Sequence, residues 1–105
     1  MANSQTMAKY IPNEILLPFM KSYEKGDVWK IHQGDKWLTG FLYFDSQIGD
    51  NKHLTIFQQM RDEYFKLADK YLDLHLSSET DITIYFDSKE NFEKKYQGNW
   101  YDYYN

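Results

Sequence analysis

The sequence predicts an α+β domain: an antiparallel sheet of four to five strands with two helices packed on one face. Three observations predict it. Apolar residues recur at three- and four-residue steps in two stretches, alternate at two-residue steps in two others, and are separated by breaks rich in Gly, Ser and Asn. At 105 residues the chain is the size of one domain, because two separate cores would each be too small to offset their ordering entropy. Residues 1–105 are therefore read as a single domain with residues 1–7 frayed.

The first helix is expected in "YIPNEILLPFMKSYEKGD", where Ile15, Phe19 and Tyr23 share a stripe with Leu16 and Met20 beside it, and Gly26 is placed to end it. Pro18 leaves two options. It opens a shorter helix at its first turn or kinks a longer one, since it lacks the N–H that a helix interior requires. "DVWKIH" then alternates, "QGDK" turns, and "WLTGFLYFD" reads as a buried strand, giving an antiparallel hairpin. "SQIGDNKH" is a loop. From Leu54 to Leu74 the residues Phe57, Met60, Tyr64, Leu67, Tyr71 and Leu74 step by three and four as one face of an amphipathic helix. "LSSETD" breaks it, "DITIYFD" sets Ile82, Ile84 and Phe86 on one face and Thr83 and Tyr85 on the other, and "FEKKY" and "WYDYY" are read as one or two closing strands.

Composition narrows the function. Twelve Lys plus Arg against sixteen Asp plus Glu give a net charge of −4, which repels a phosphate backbone and attracts a basic protein. The acidity lies in the second half. Residues 1–52 hold six bases and six acids, residues 53–105 six bases and ten acids. The lack of cysteine excludes disulfides, thiol catalysis and zinc–thiolate sites. "MANSQTMAKY" has no apolar run of signal-peptide length, and no stretch approaches the roughly 20 apolar residues of a membrane span. A cytoplasmic, soluble protein is expected, without membrane or nucleic-acid partners and without a cofactor; the oligomeric state stays open.

No motif identifies a reaction. His32, His53 and His75 are assigned to a strand, a loop and a helix end, with no H-x-x-x-H spacing, and the five glycines are too scattered for a phosphate cradle. No residue is assigned to catalysis or to a metal. His75 has a simpler expected role, complementing the dipole of the helix it ends. Asp62, Asp69 and Asp73 fall together on the outer face of the long helix, either as a solvated surface or as an acidic patch for a basic partner. The C-terminal "FDSKENFEKKYQGNWYDYYN" is unusually aromatic. Alternation lets only part of it face a core, so Tyr101 and Tyr103 either cover an open sheet face or, with Asp102, form a contact surface.

The stretch "IFQQMRDEYFKLADKYLDLHLSSETDITIYFDSKENFEKKY", with the later "YDYY", resembles bacterial antitoxins of the YezG type. In these a long amphipathic helix, a short break, a strand, a Ser/Asn/Gly-type turn and a second strand entering an acidic, tyrosine-containing segment follow in that order. The resemblance covers the second half of the chain. It implies an immunity protein or antitoxin that binds and occludes a cognate toxin, such as a nuclease, with no chemistry of its own. The residues expected at the contact are Asp62, Asp69, Asp73, Tyr101, Asp102 and Tyr103. The alternative, from the residues themselves, is a small-ligand or carbohydrate-binding domain in which exposed Trp37, Trp100 and Tyr103 stack on the ligand.

Overall fold

The computed structural model describes residues 10–72 and 76–105. The elements run in the order α1 (Asn13–Tyr23), β1 (Val28–Gln33), β2 (Trp37–Leu42), α2 (Asn51–Tyr71), β3 (Thr83–Ser88), α3 (Lys89–Tyr96) and α4 (Trp100–Tyr104), with short 3₁₀ turns at Asp45–Gln47 and Glu79–Asp81. The class is α+β, as the periodicities predict. The sheet differs from the expected one in strand number and direction. It has three strands in the order β1-β2-β3, antiparallel between β1 and β2 but parallel between β2 and β3. The long helix α2 lies between β2 and β3 in the chain and returns it to the same end of the sheet, a connection that makes the third strand parallel.

The two missing strands are helices. "FEKKY" belongs to α3 and "WYDYY" is α4. Local chemistry accounts for both. Ser88 caps α3 by accepting from the Asn91 N–H at 2.9 Å, and Asn99 caps α4 by accepting from the Tyr101 and Asp102 N–H groups. Between them Gln97 and Gly98 take left-handed conformations, at φ 54° and 73°, and fold the second helix back. A Ser-x-x-Asn pair is a helix start, and alternating aromatics in so short a segment do not outweigh two caps.

α1 passes through Pro18 without ending and continues to Tyr23. The carbonyl of Glu14, which loses its donor there, lies on the exposed side of the helix, where water can serve it. Its inner side presents Phe19, and Ile11 just before the helix is buried as well. α2 starts at Asn51, three residues before the expected point, because Asp50 accepts from the Lys52 N–H at 2.8 Å. Its buried stripe is His53, Phe57, Met60, Tyr64 and Ala68. Leu67 and Tyr71 flank this stripe half-buried, and Leu74 and His75 lie outside the described residues.

The two faces of the sheet bear two different layers. On one, Val28, Ile31, Leu38, Leu42, Ile84 and Phe86 pack with α1 and α2 into an aliphatic core around Phe57, Met60 and Tyr64. Gly40 sits in the middle of β2 because a Cβ there would lie 2.5 Å from the Phe57 ring. On the other, Phe41 packs edge-on against Trp29, Trp100 and Tyr103 beneath α3 and α4. Helices therefore cover both faces, and the expectation of helices on one face only is corrected. The reading of "WLTGFLYFD" as a buried strand already fits this arrangement, since a strand apolar on both sides needs cover on both.

Candidate functional site: an aromatic surface around Trp37

The second layer explains most of the terminal aromatics. Trp100 stacks on Phe92 at a centroid distance of 3.8 Å, on Trp29 at 5.9 Å, and tilts against His32 at 4.4 Å. Tyr103 meets Phe41, Phe92 and Tyr96 edge-on and donates its hydroxyl to Asp87 at the end of β3. Burial, and then the Asp87 carboxylate that accepts from it, hold the Tyr103 phenol well above its ordinary pKa. Tyr103 is thus mainly a packing residue. Covering the sheet face is one of the two roles that the sequence left open for Tyr103; the segment carrying it is a helix rather than the expected strand.

The rim of this layer stays open. Tyr104 continues the stack over Trp100 and His32, shares a hydrogen bond with His32 Nδ1, and remains half exposed. Burial, then the charge of Lys30, lowers the His32 pKa, so the imidazole is held neutral. Trp37, whose ring lies 6.5 Å from that of Tyr104, bends over Gly34. A Cβ at Gly34 would fall 2.1 Å from the Trp37 indole nitrogen, so the glycine of "QGDKW" is what lets the indole lie across the hairpin turn.

Two grooves meet at the Trp37–Tyr104 pair. One, of about 500 Å³, is lined by Leu16, Leu17 and Met20 of α1 with His32, Gln33, Trp37 and Tyr104. The other, of about 380 Å³, runs over Thr39, Tyr85 and Phe86 to Tyr103 and the same pair. Their lining includes large exposed side chains, Leu17 at 51% and Tyr85 at 55%; Tyr101 of α4, 74% exposed, lines neither groove. This surface combines a large apolar area with phenol and imidazole tips able to form hydrogen bonds. Among the described residues no cluster of three His, Asp or Glu side chains could hold a metal ion.

The expected contact residues do not form one patch. Asp62 and Asp69 are exposed on the outer side of α2, over the aliphatic layer, whereas Tyr101 and Asp102 are exposed on α4, over the aromatic layer. The sheet lies between them. Asp73 lies outside the described residues. Trp100, expected to stack on a ligand, is instead occupied by Phe92 and Trp29, while Trp37 is accessible.

His53, expected in a loop, lies in the first turn of α2 and is 5% exposed. Its Nε2 is 2.9 Å from the Asp27 carboxylate and its Nδ1 3.2 Å from the Gln47 carbonyl. This bond, ahead of the nearby Lys52, lowers the Asp27 pKa. The residue ties two loops to the helix start and has no free nitrogen for chemistry. Among the described residues no helix is long and apolar enough to cross a membrane. Comparison with family models, with curated proteins and with solved structures finds no match to this chain.

Proposed function

We propose that this chain is a cytoplasmic inhibitor of the immunity or antitoxin kind, which binds a basic bacterial toxin, such as a nuclease, and occludes its functional surface. The observation that carries the reading is the Trp37–Tyr104 surface. Aromatic side chains with polar tips, exposed at the rim yet fixed from beneath by packing, are the side chains that anchor protein interfaces at low entropic cost. The net charge of −4 supports a basic partner, and the resemblance of the second half to YezG-type antitoxins points the same way. Of the contact residues named from sequence, Tyr101 and Asp102 belong to this side of the molecule. Asp62 and Asp69 serve as a solvated outer face of α2.

The test is a titration of the purified chain against the product of a toxin gene found next to its own, whose absence from the neighbourhood would count against the reading. Tyr85→Ala and Trp37→Ala should each weaken binding by on the order of 2 kcal/mol, roughly thirtyfold, with little change in melting temperature. Unaltered affinity in both variants would overturn the reading. A second reading, a small-ligand or carbohydrate site, is favoured by the groove between α1 and Tyr104, where His32 and Gln33 offer polar atoms beside Trp37. Quenching or shift of tryptophan fluorescence by a sugar panel, lost in Trp37→Ala, distinguishes it.

A further inference from the structure

The two edges of the sheet are treated differently. At the β1 edge the Glu24 carboxylate accepts from the Ile31 N–H at 2.7 Å, and the register slips between Val28 and Lys30, so the edge is both capped and bulged. At the β3 edge no such device is found among the described residues. The Thr83 N–H donates toward β2, to the Lys36 carbonyl at 2.9 Å, and alternation turns the backbone of Tyr85 and Asp87 the same way. The backbone groups of Ile84 and Phe86 therefore face outward. Among the described residues they have no partner there, whereas the Ser88 N–H, next in the series, is taken by the Asp87 side chain at 2.8 Å. The strand holds no proline, lysine or bulge that would discourage pairing.

Charge selects the occupant. Residues 77–93, which contain β3 and its flanks, carry five acids (Glu79, Asp81, Asp87, Glu90 and Glu93) against one base, Lys89, and so account for the whole net charge of −4. A second copy of the chain would bring the same acidic stretch against itself. A strand rich in Lys or Arg would meet opposite charge at both ends of β3 while its backbone met unpaired donors and acceptors.

We propose that β3 is a pairing edge, and that an extended basic segment of the partner protein adds to the sheet there through the outward groups of Ile84 and Phe86, beside the aromatic groove that Tyr85 lines. This rests on the protein-binding reading above and gives it a docking mode. The aromatic surface supplies the anchors and the edge supplies the direction and register of the bound chain.

The experiment uses the whole chain and needs no toxin. A capped octapeptide of alternating lysine and valine is titrated against it, together with the same peptide bearing N-methyl groups on all interior amides and with a glutamate–valine counterpart. The lysine peptide should bind and slow hydrogen exchange at the Ile84 and Phe86 amides. The methylated and acidic peptides should bind at least tenfold more weakly. Equal binding of the methylated peptide, or saturation without slowed exchange at these two amides, overturns the proposal. So does a free protein that sediments as a dimer with both amides already protected, which would assign the edge to a second copy. Failure here with toxin binding still sensitive to Tyr85→Ala removes only the edge. Edge pairing with toxin binding indifferent to Tyr85→Ala and Trp37→Ala removes only the aromatic reading.

Discussion

Tyr64 shows how much one hydroxyl can hold. Its ring is fully buried against Phe19, and its O–H reaches the hairpin turn, donating to the Gly34 carbonyl at 2.6 Å with the Asp35 carbonyl at 3.2 Å. The long helix is thereby pinned to the turn over which Trp37 lies. Tyr64→Phe removes the bond and leaves a carbonyl short of a donor, at a cost of about 1–2 kcal/mol by denaturant titration. Burial, then the charge of Asp35, raises the Tyr64 pKa to about 12. Because the folded value is the higher one, its contribution is complete below the unfolded value of 10.0 and is lost as pH rises toward 12. The fall in stability between pH 10 and 12 should thus be shallower in Tyr64→Phe than in the parent chain. Tyr23, Tyr103 and Tyr104, also raised by burial and then a neighbouring carboxylate, add to the same slope.

At the scale of elements, α3 and α4 are too short to persist by themselves and depend on the stack they place on the sheet. Trp100 is the centre of that stack, between Phe92, Trp29, His32 and Phe41. Trp100→Ala should cost about 3 kcal/mol and remove most of the near-ultraviolet dichroism. Tyr101→Ala, one residue on but 74% exposed, should change stability by no more than about 0.5 kcal/mol. A comparable loss in both variants would mean that α4 is held by something other than its buried side. The contrast follows from helix geometry. Adjacent residues on a helix lie about 100° apart, so one can be an anchor of the fold while the next is free for a partner.

Across the whole molecule, the acidic stretch and the aromatic surface are different sets of residues, so in the proposed complex steering and anchoring would be separate. Of the five acids of residues 77–93, Asp87 lies within β3 and the other four flank it, and none is in the lining of the groove. Association with a basic partner should therefore slow by at least several-fold between low and physiological salt, as charges beyond about 8–10 Å are screened, while the dissociation rate changes little. Stopped-flow measurement at a series of salt concentrations checks this. On-rates that stay flat would mean that the acidic stretch has no part in encounter.

Much of the fold was legible where a side-chain period is unambiguous. The stripe Phe57, Met60, Tyr64 and the alternation Ile82, Ile84, Phe86 have the positions that sequence assigns them, because burial on one side of a regular element leaves a fixed spacing. The closing "FEKKY" and "WYDYY" were misread for a reason of the same kind. Five residues contain little more than one helical turn or two strand repeats, so the period is undefined and the caps Ser88 and Asn99 decide. The candidate site was legible only in its composition, which singles out Trp37 and the terminal tyrosines but not which of them are exposed.

What the sequence determined by itself was class, the two long amphipathic elements, the acidity of the second half and the aromatic surplus, all of which depend on residues near one another in the chain. Tertiary structure alone decided that β3 runs parallel to β2, that the aromatics form a second layer instead of extra strands, that Asp62 and Asp69 face away from Tyr101 and Asp102, and that one sheet edge is capped by Glu24 while the other has no partner among the described residues. Each of these depends on contacts between residues far apart in sequence, and local spacing carries no information about which distant surface an element will find.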